Sequence, residues 1–448
     1  MRSIIIFILF LSSSHAVAQQ RWTLTECMDY AIGHNIELMH LLNEQKRREV
    51  QAQASKDARL PQVSGEMGGY TGTLRHRGDG NRFDADVSLI DMGLRGALPL
   101  YTGNRLSSQI KADRYSHLAA VENVRTADKQ LKIQVAAAYL QLLYDKGEAD
   151  IARQRLEVSK LQLTKARSLH DKGKRPESEV AEAMAIVSSD EALLAAAEGN
   201  ISLAKLDLMQ LMNLPDTIAF DVCEPDDSVA APGDAPALAD THPAIRSANY
   251  SVLQAEQGVT TARSGYLPSL SLVGEVGTSW ISIDADASHN GNIPLFLSLE
   301  TSEGYSYRLN GDWNWKNKNL INAYVGLKLQ LPVFDAFGTK ARIRMAKLSL
   351  DDARLRLFET QHRVRKEMHQ AWQGAVTAYR RYEAEQQSEA ANALAYSYAL
   401  KRYDAGMATL FDLNQSRRQW FIASENVLRL KYEYIIRKKI LDIQTEEE

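Results

Sequence analysis

Cysteine is nearly absent from the chain: only Cys27 and Cys223 occur. Two thiols do not make the disulfide framework of a small secreted scaffold, and no C-x-x-C pair is present. They read as two free thiols. An excess of basic charge is also missing, with 53 Lys and Arg against 56 Asp and Glu and a formal net charge of −3. Nucleic-acid binding needs a basic stripe, so nucleic acid is excluded as a partner. The histidines are scattered. His362 and His369 share a helix face, but no carboxylate or cysteine cluster completes a metal-ligand set there. The methionines do not cluster as M-x-x-M, which argues against a soft-metal relay. No G-x-x-x-x-G-K-[ST], G-x-G-x-x-G or H-E-x-x-H motif appears. The chain therefore reads as a non-enzyme without cofactor or bound metal.

Long apolar runs are missing as well. The run from Ile4 to Leu11 follows Arg2 and precedes Ala16-Val17-Ala18, the order of a secretory signal peptide with cleavage expected between Ala18 and Gln19. It falls far short of the ~18 residues of a spanning helix. Cys27 lies well beyond that site and has no lipobox, so a lipid anchor is not expected. No later segment is apolar enough for a transmembrane helix. An exported chain of this kind that crosses a membrane must cross it with strands.

What the sequence does contain is a duplication. His34-Asn35-Ile36-Glu37-Leu38 pairs with Thr241-His242-Pro243-Ala244-Ile245, and Leu60-Pro61-Gln62-Val63 with Leu267-Pro268-Ser269-Leu270. Both pairs are 207 positions apart (35 to 242, 61 to 268). Leu98-Pro99-Leu100-Tyr101 pairs with Leu331-Pro332-Val333-Phe334, and His170-Asp171-Lys172-Gly173 with Tyr403-Asp404-Ala405-Gly406, both 233 positions apart (99 to 332, 173 to 406). The growing offset places an insert in the polar stretch from Ser282 to Asn319, where Trp313 and Trp315 fit either an aromatic interface belt or an ordinary loop. The expected organisation is a leader at 1–18, a first repeat at 19–212, a linker at 213–240 and a second repeat at 241–448.

Each repeat reads as helix, two strands, very long helix, tight turn, helix. The first helix is expected from about Thr25 to Arg59, with Thr23 or Thr25 as its cap and Glu26 in its first turn. From about Thr102 to Leu169 there is no proline, and the only glycines are Gly103 and Gly147. Apolar residues recur there in heptads: Val121, Val124, Leu131, Val135, Ala138, Leu142, Ala149, Ala152, Leu156, Leu163 and Ala166. The counterpart runs from Lys340 to Arg402 with Leu357, Val364, Met368, Ala371, Ala375, Ala378 and Tyr382 in register. Helices of about 100 Å are too long for the core of a globular domain; an antiparallel coiled-coil stalk fits them equally well.

The strands alternate. Ile321, Ala323, Val325, Leu327, Leu329, Leu331 and Val333 face away from Asn322, Tyr324, Gly326, Lys328 and Gln330. Leu270, Leu272, Val276 and Trp280 stand opposite Ser269, Ser271, Glu275 and Gly277; Ile90, Met92, Leu94, Leu98 and Leu100 stand opposite Asp91, Gly93, Arg95 and Ala97. The strand after Pro61 is weaker. A half-buried soluble sheet has the same pattern, but the leader and the long helices favour lipid on the apolar face. Four strands cannot close a barrel and an open edge cannot sit in lipid, so other copies of the chain must supply the rest.

The run TLTECMDYAIGHNIEL, the two Leu-Pro strand junctions and the stretch KRYDAGMATLFDLNQSRRQ resemble the TolC-like outer-membrane efflux proteins. The likeness covers nearly all of the expected mature chain and both repeats. It implies an α+β membrane protein: a homotrimer whose twelve strands form one β-barrel in outer-membrane lipid, continued by a long α-helical coiled-coil barrel in the periplasm of a Gram-negative bacterium. The implied function is a passive exit duct for small molecules, delivered by an inner-membrane transporter through a periplasmic adaptor protein. A duct for type I polypeptide secretion, or a soluble periplasmic coiled-coil scaffold, are the alternatives. The resemblance also implies a gate and an adaptor dock at the helix tips. Tyr403 matches the gate tyrosine, Glu179 its acidic partner and Asp412 one carboxylate ring. The second ring position is Gln415 and the usual gate arginine is Ala408, so fewer polar links are expected. Gly173, Lys174, Gly406, Met407, Ala408 and Thr409 form the tip turns.

Overall fold

The computed structural model describes residues 20–78, 81–215, 220–224, 231–233, 241–286, 297–300, 306–309 and 318–445. The expected leader, most of the linker, and Trp313 and Trp315 lie outside the described residues. In chain order the elements are β1 (Gln20–Trp22), α1 (Leu24–His34), α2 (Ile36–Asp57), β2 (Gln62–Gly78), β3 (Asn81–Tyr101), α3 (Arg105–Asp171), α4 (Glu177–Met212), β4 (Phe220–Val222), α5 (Pro243–Arg263), β5 (Ser269–Asp286), β6 (Leu297–Glu300), β7 (Ser306–Leu309), β8 (Lys318–Gln330), α6 (Gly338–Asp404) and α7 (Leu410–Thr445). The duplication is visible in the lengths: α3 and α6 have 67 residues each, α4 and α7 have 36 each.

The chain divides into two units. One holds Glu49–Ser116 and Val252–Ala353; the other holds the described residues up to Arg48, His117–Ser251 and those from Arg354 onward. The first unit contains an antiparallel sheet in the order β2-β3-β5-β8. Because side chains alternate, the register sorts them into two faces. Val63, Gly96, Gly274 and Val325 form one row across all four strands, and Gly65, Leu94, Val276 and Ala323 the next row on that face. Ser64, Arg95, Glu275 and Tyr324 form a row on the other face. There Arg95 pairs with Glu275 at 3.3 Å and Glu66 at 3.5 Å, and the Tyr324 hydroxyl donates to Glu275 at 3.3 Å. The apolar face is the bare one. Val325 is 79% exposed and Leu327 67%, while Asn322, Tyr324 and Gly326 are half-buried.

The strand ends earlier than its pattern suggests. β8 stops at Gln330, so Leu331, expected within the strand, and Val333 lie beyond it, although both are exposed. Pro332 has no N–H to extend the ladder. The inserted stretch contains a short hairpin, β6 with β7, that the sequence reading passed over.

The second unit is helical. Its core gathers Cys27 and Ala31 of α1, Val135, Tyr139, Leu140 and Leu142 of α3, Leu208 and Met212 of α4, and Tyr432 and Tyr434 of α7. The heptad positions Leu131, Val135, Leu142, Ala149, Leu156 and Ala166 are buried, as are Val364, Met368, Ala375 and Ala378 of α6. Two three-residue strands, β1 and β4, pair in parallel beside this core, and the Tyr139 hydroxyl lies 3.0 Å from the Trp22 carbonyl and 2.5 Å from that of Cys223. Burial pushes the Cys27 thiol up to about 12, so it stays protonated and inert.

The first expected helix is two helices. Thr23 caps α1 in a capping box with Glu26. The helix then breaks at Asn35, whose backbone is extended at φ −67°, ψ 127°. Its side chain explains the break. Asn35 Oδ1 accepts from the Leu38 amide at 3.0 Å, capping α2, and Nδ2 donates to the Leu211 carbonyl at 3.0 Å.

Candidate gate at the helix tips

Both long helices end in the same turn. The Gly173 amide donates to the His170 carbonyl and the Lys174 amide to Leu169; the Gly406 amide donates to Tyr403 and the Met407 amide to Arg402. This is the Schellman pattern, which closes a helix with one left-handed residue. Gly173 has φ 70° and Gly406 has φ 76°, a region a side chain enters only with strain. The restarts differ. α4 begins after Pro176 with no side-chain cap. α7 begins at Thr409, whose hydroxyl accepts from the Asp412 amide at 3.2 Å and donates to the Asp412 carboxylate at 2.7 Å; the Thr409 amide donates to the same oxygen at 3.1 Å.

Next to these turns, Tyr403 of α6 and Glu179 of α4 meet. The Tyr403 hydroxyl donates to Glu179 Oε2 at 3.2 Å, although 224 residues separate the two in sequence. Tyr403 is buried with Leu410 and Leu413, and Ala408 packs against that cluster. Burial, and then the Glu179 charge, raise its pKa, so the phenol keeps its proton and remains a donor.

A third member was missed from sequence. Arg175 Nη1 binds Glu179 Oε1 at 3.1 Å, and its guanidinium carbon lies 4.8 Å from the Tyr403 ring centre. Glu179 thus receives a phenol on one oxygen and a guanidinium on the other. The cation absent at Ala408 is present here, on the opposite turn. Its one sequence signal is the i, i+4 spacing of Arg175 and Glu179 just past the tip glycine. Lys165 of α3 and Asp404 of α6 add an exposed pair between the same hairpins.

Asp412 is not drawn into this cluster. Its carboxylate is held by Thr409, and those hydrogen bonds lower its pKa. Gln415 is exposed on α7, and Lys174 and Met407 are exposed at the two turns. Glu179 and Tyr403 are therefore together, whereas Asp412 serves its own helix terminus. On the sheet, Ile321, Ala323, Val325, Leu327 and Leu329 share the exposed face. Among the described residues no helix is long and apolar enough to cross a membrane, and no group of three His, Cys, Asp or Glu side chains could hold a metal ion.

Comparison with known proteins gives one fold and one family. The chain is 23% identical over 386 residues to the outer membrane efflux protein BepC of Brucella suis biovar 1 (strain 1330), covering 85% of this chain and 76% of BepC. It superposes on the channel CusC with a TM-score of 0.77 at 18% identity, covering 94% of this chain and 91% of CusC. The Campylobacter jejuni CmeC outer membrane channel gives 0.75 at 19% identity, covering 94% and 85%. These likenesses establish a TolC-like channel fold. The profile described as "Outer membrane efflux protein" matches residues 28–214 and 236–442, and on that match the chain belongs to the outer membrane efflux protein family, channel proteins of the outer membrane that extend into the periplasm.

Proposed function

We propose that three copies of this chain form a passive exit duct for small molecules, fed by an inner-membrane transporter through a periplasmic adaptor. The observation that carries this reading is the sheet. Among the described residues it has two unpaired edges, β2 and β8, and an exposed apolar face, with Arg95 paired to Glu66 and Glu275 on the opposite face. Open edges are not viable in lipid, and four strands are too few to close a barrel; three copies supply twelve. Ile321, Ala323, Val325, Leu327 and Leu329 then meet acyl chains, and Arg95, Glu275 and Lys328 face the lumen.

The tip cluster is the gate in this reading. Arg175, Glu179 and Tyr403 tie one hairpin to the other, and repeated in each copy the lock holds a closed resting state. The adaptor docks on Gly173, Lys174 and Gly406 to Thr409, where exposed Met407 offers apolar surface beside the basic first turn. Asp412 and Gln415 flank the entrance in a subordinate role, since the Asp412 carboxylate is already occupied by Thr409.

Light scattering in mild detergent tests the assembly: a trimer mass is expected, and a folded monomer would overturn the duct. In an outer-membrane insertion assay Leu327→Arg should cost about 2–4 kcal/mol near the bilayer midplane, while Lys328→Gln should leave insertion intact. Equal tolerance of both would reverse the assignment of faces.

A further inference from the structure

Deeper in the hairpin helices lies a second charged cluster, closed to solvent at Asp190 and Arg417 and open at Glu425. Asp190 of α4 is 1% exposed and Arg417 of α7 is 4% exposed. Asp190 Oδ1 accepts from Arg155 Nε at 2.9 Å, and Asp190 Oδ2 pairs with Arg417 Nη1 at 3.4 Å. Arg155, on α3, continues to Glu425 of α7 at 3.5 Å. Two cations and two anions thus form one neutral chain through three helices. The fourth helix joins by stacking: Tyr396 of α6 lies 5.2 Å from the Trp420 ring of α7.

Cohesion does not require this cluster. The surrounding seam is apolar, with Leu156, Ala166, Ala183 and Val187 buried. Buried ion pairs repay their desolvation poorly, and apolar replacements of both partners are often neutral or stabilising. What charged groups add to an apolar seam is register. Alanine and leucine surfaces slide past one another at little cost. A carboxylate set between two arginines from different helices, hydrogen-bonded to Arg155 and ion-paired with Arg417, keeps both partners at one axial offset only. Between this layer and the turns, the hairpins touch through Asn414 and Glu182 at 3.2 Å, then through Tyr403 and Glu179.

We propose that Arg417 is a positioning residue for the gate: through Asp190 it pins the second hairpin to the first, making this layer the pivot about which the tips open. This rests on the gate reading above. With the pivot intact, motion is confined to the segment between Arg417 and the tip glycines. Without it, the whole hairpin can shift and the tip lock loses its alignment.

Single-channel conductance in planar bilayers, with the unfolding temperature of the assembled protein measured alongside, tests the proposal. Asp190→Leu with Arg417→Met should leave the protein assembled with a modestly lower unfolding temperature, because Arg155 loses Asp190 and keeps Glu425, and raise resting conductance several-fold. Arg417→Lys, which keeps the charge and loses the fork, should raise it less. Unchanged conductance in the Leu/Met pair would overturn the pivot and leave the cluster a packing feature. Should that pair fail to assemble, Arg417→Lys decides on the same criterion. Tyr403→Phe with Glu179→Gln forms a separate arm. A silent tip pair beside a responsive deep pair would remove the tip lock and keep the pivot; the converse would keep the lock and remove the pivot.

Discussion

The two helix turns share one backbone and have opposite surfaces. Gly173 and Gly406 make the same left-handed closure, yet the first turn is basic, with Lys172, Lys174 and Arg175, and the second presents Ala405, Met407 and Ala408. The first helix restarts at a proline with no side-chain cap; the second restarts in a Thr409–Asp412 box. Duplication has thus preserved what the chain needs in order to reverse, and the exposed chemistry has diverged. The cation that pairs with Glu179 comes from the first turn, and the phenol comes from just before the second.

The largest effect should come from the shared part. A Cβ at either glycine meets no atom within 4 Å, so the cost of Gly173→Ala or Gly406→Ala is backbone strain alone. Each should lose about 1–2 kcal/mol, seen as similar drops in the unfolding temperature. A large difference between the two would break the equivalence of the turns.

Next come the caps. Thr409→Ala should cost about 1 kcal/mol, measured by denaturant unfolding, and Pro176→Ala much less, because no cap bond exists there to lose. The cation comes third. Arg175→Gln should weaken the tip by about 0.5 kcal/mol and raise resting conductance modestly. Adding Ala408→Arg should restore the closed state if the lock needs a guanidinium and not a particular turn. Continued leak in that double variant would tie the lock to the first turn.

Acid gives the smallest expected effect. The folded carboxyl of Asp412 lies below its ordinary value because of its bonds to Thr409. A depressed carboxylate stabilises above its unfolded value, about 4, and that contribution fades as pH falls through the lower folded value. Amide protection at the start of α7 should therefore fall in acid, and Thr409→Ala, which lacks the box, should show a smaller fall. An equal fall in both would remove the box as the cause.

Much of this was legible in the sequence. The Leu-Pro junctions fixed where strands begin, alternation fixed which side of β8 is bare, and the turn glycines were identifiable because few other residues tolerate their φ. Other features left no periodic trace. Asn35 sits within a helical pattern and ends the helix through its own amide. β1 and β4 are three residues each and exist only by pairing with one another. The Tyr403–Glu179 contact was implied by the family resemblance, but Arg175 has no apolar repeat to announce it, and Asp190 and Arg417 look like surface charges until four helices close around them.

The matched lengths of α3 with α6 and of α4 with α7 constrain how such a chain can change. The bonds from Lys165 to Asp404 and from Tyr403 to Glu179 require both turns to arrive at one level. Lengthening a single repeat by a heptad would carry one turn past the other by about 10 Å and separate every such pair. Viable length variants must therefore arise as coordinated edits in both halves.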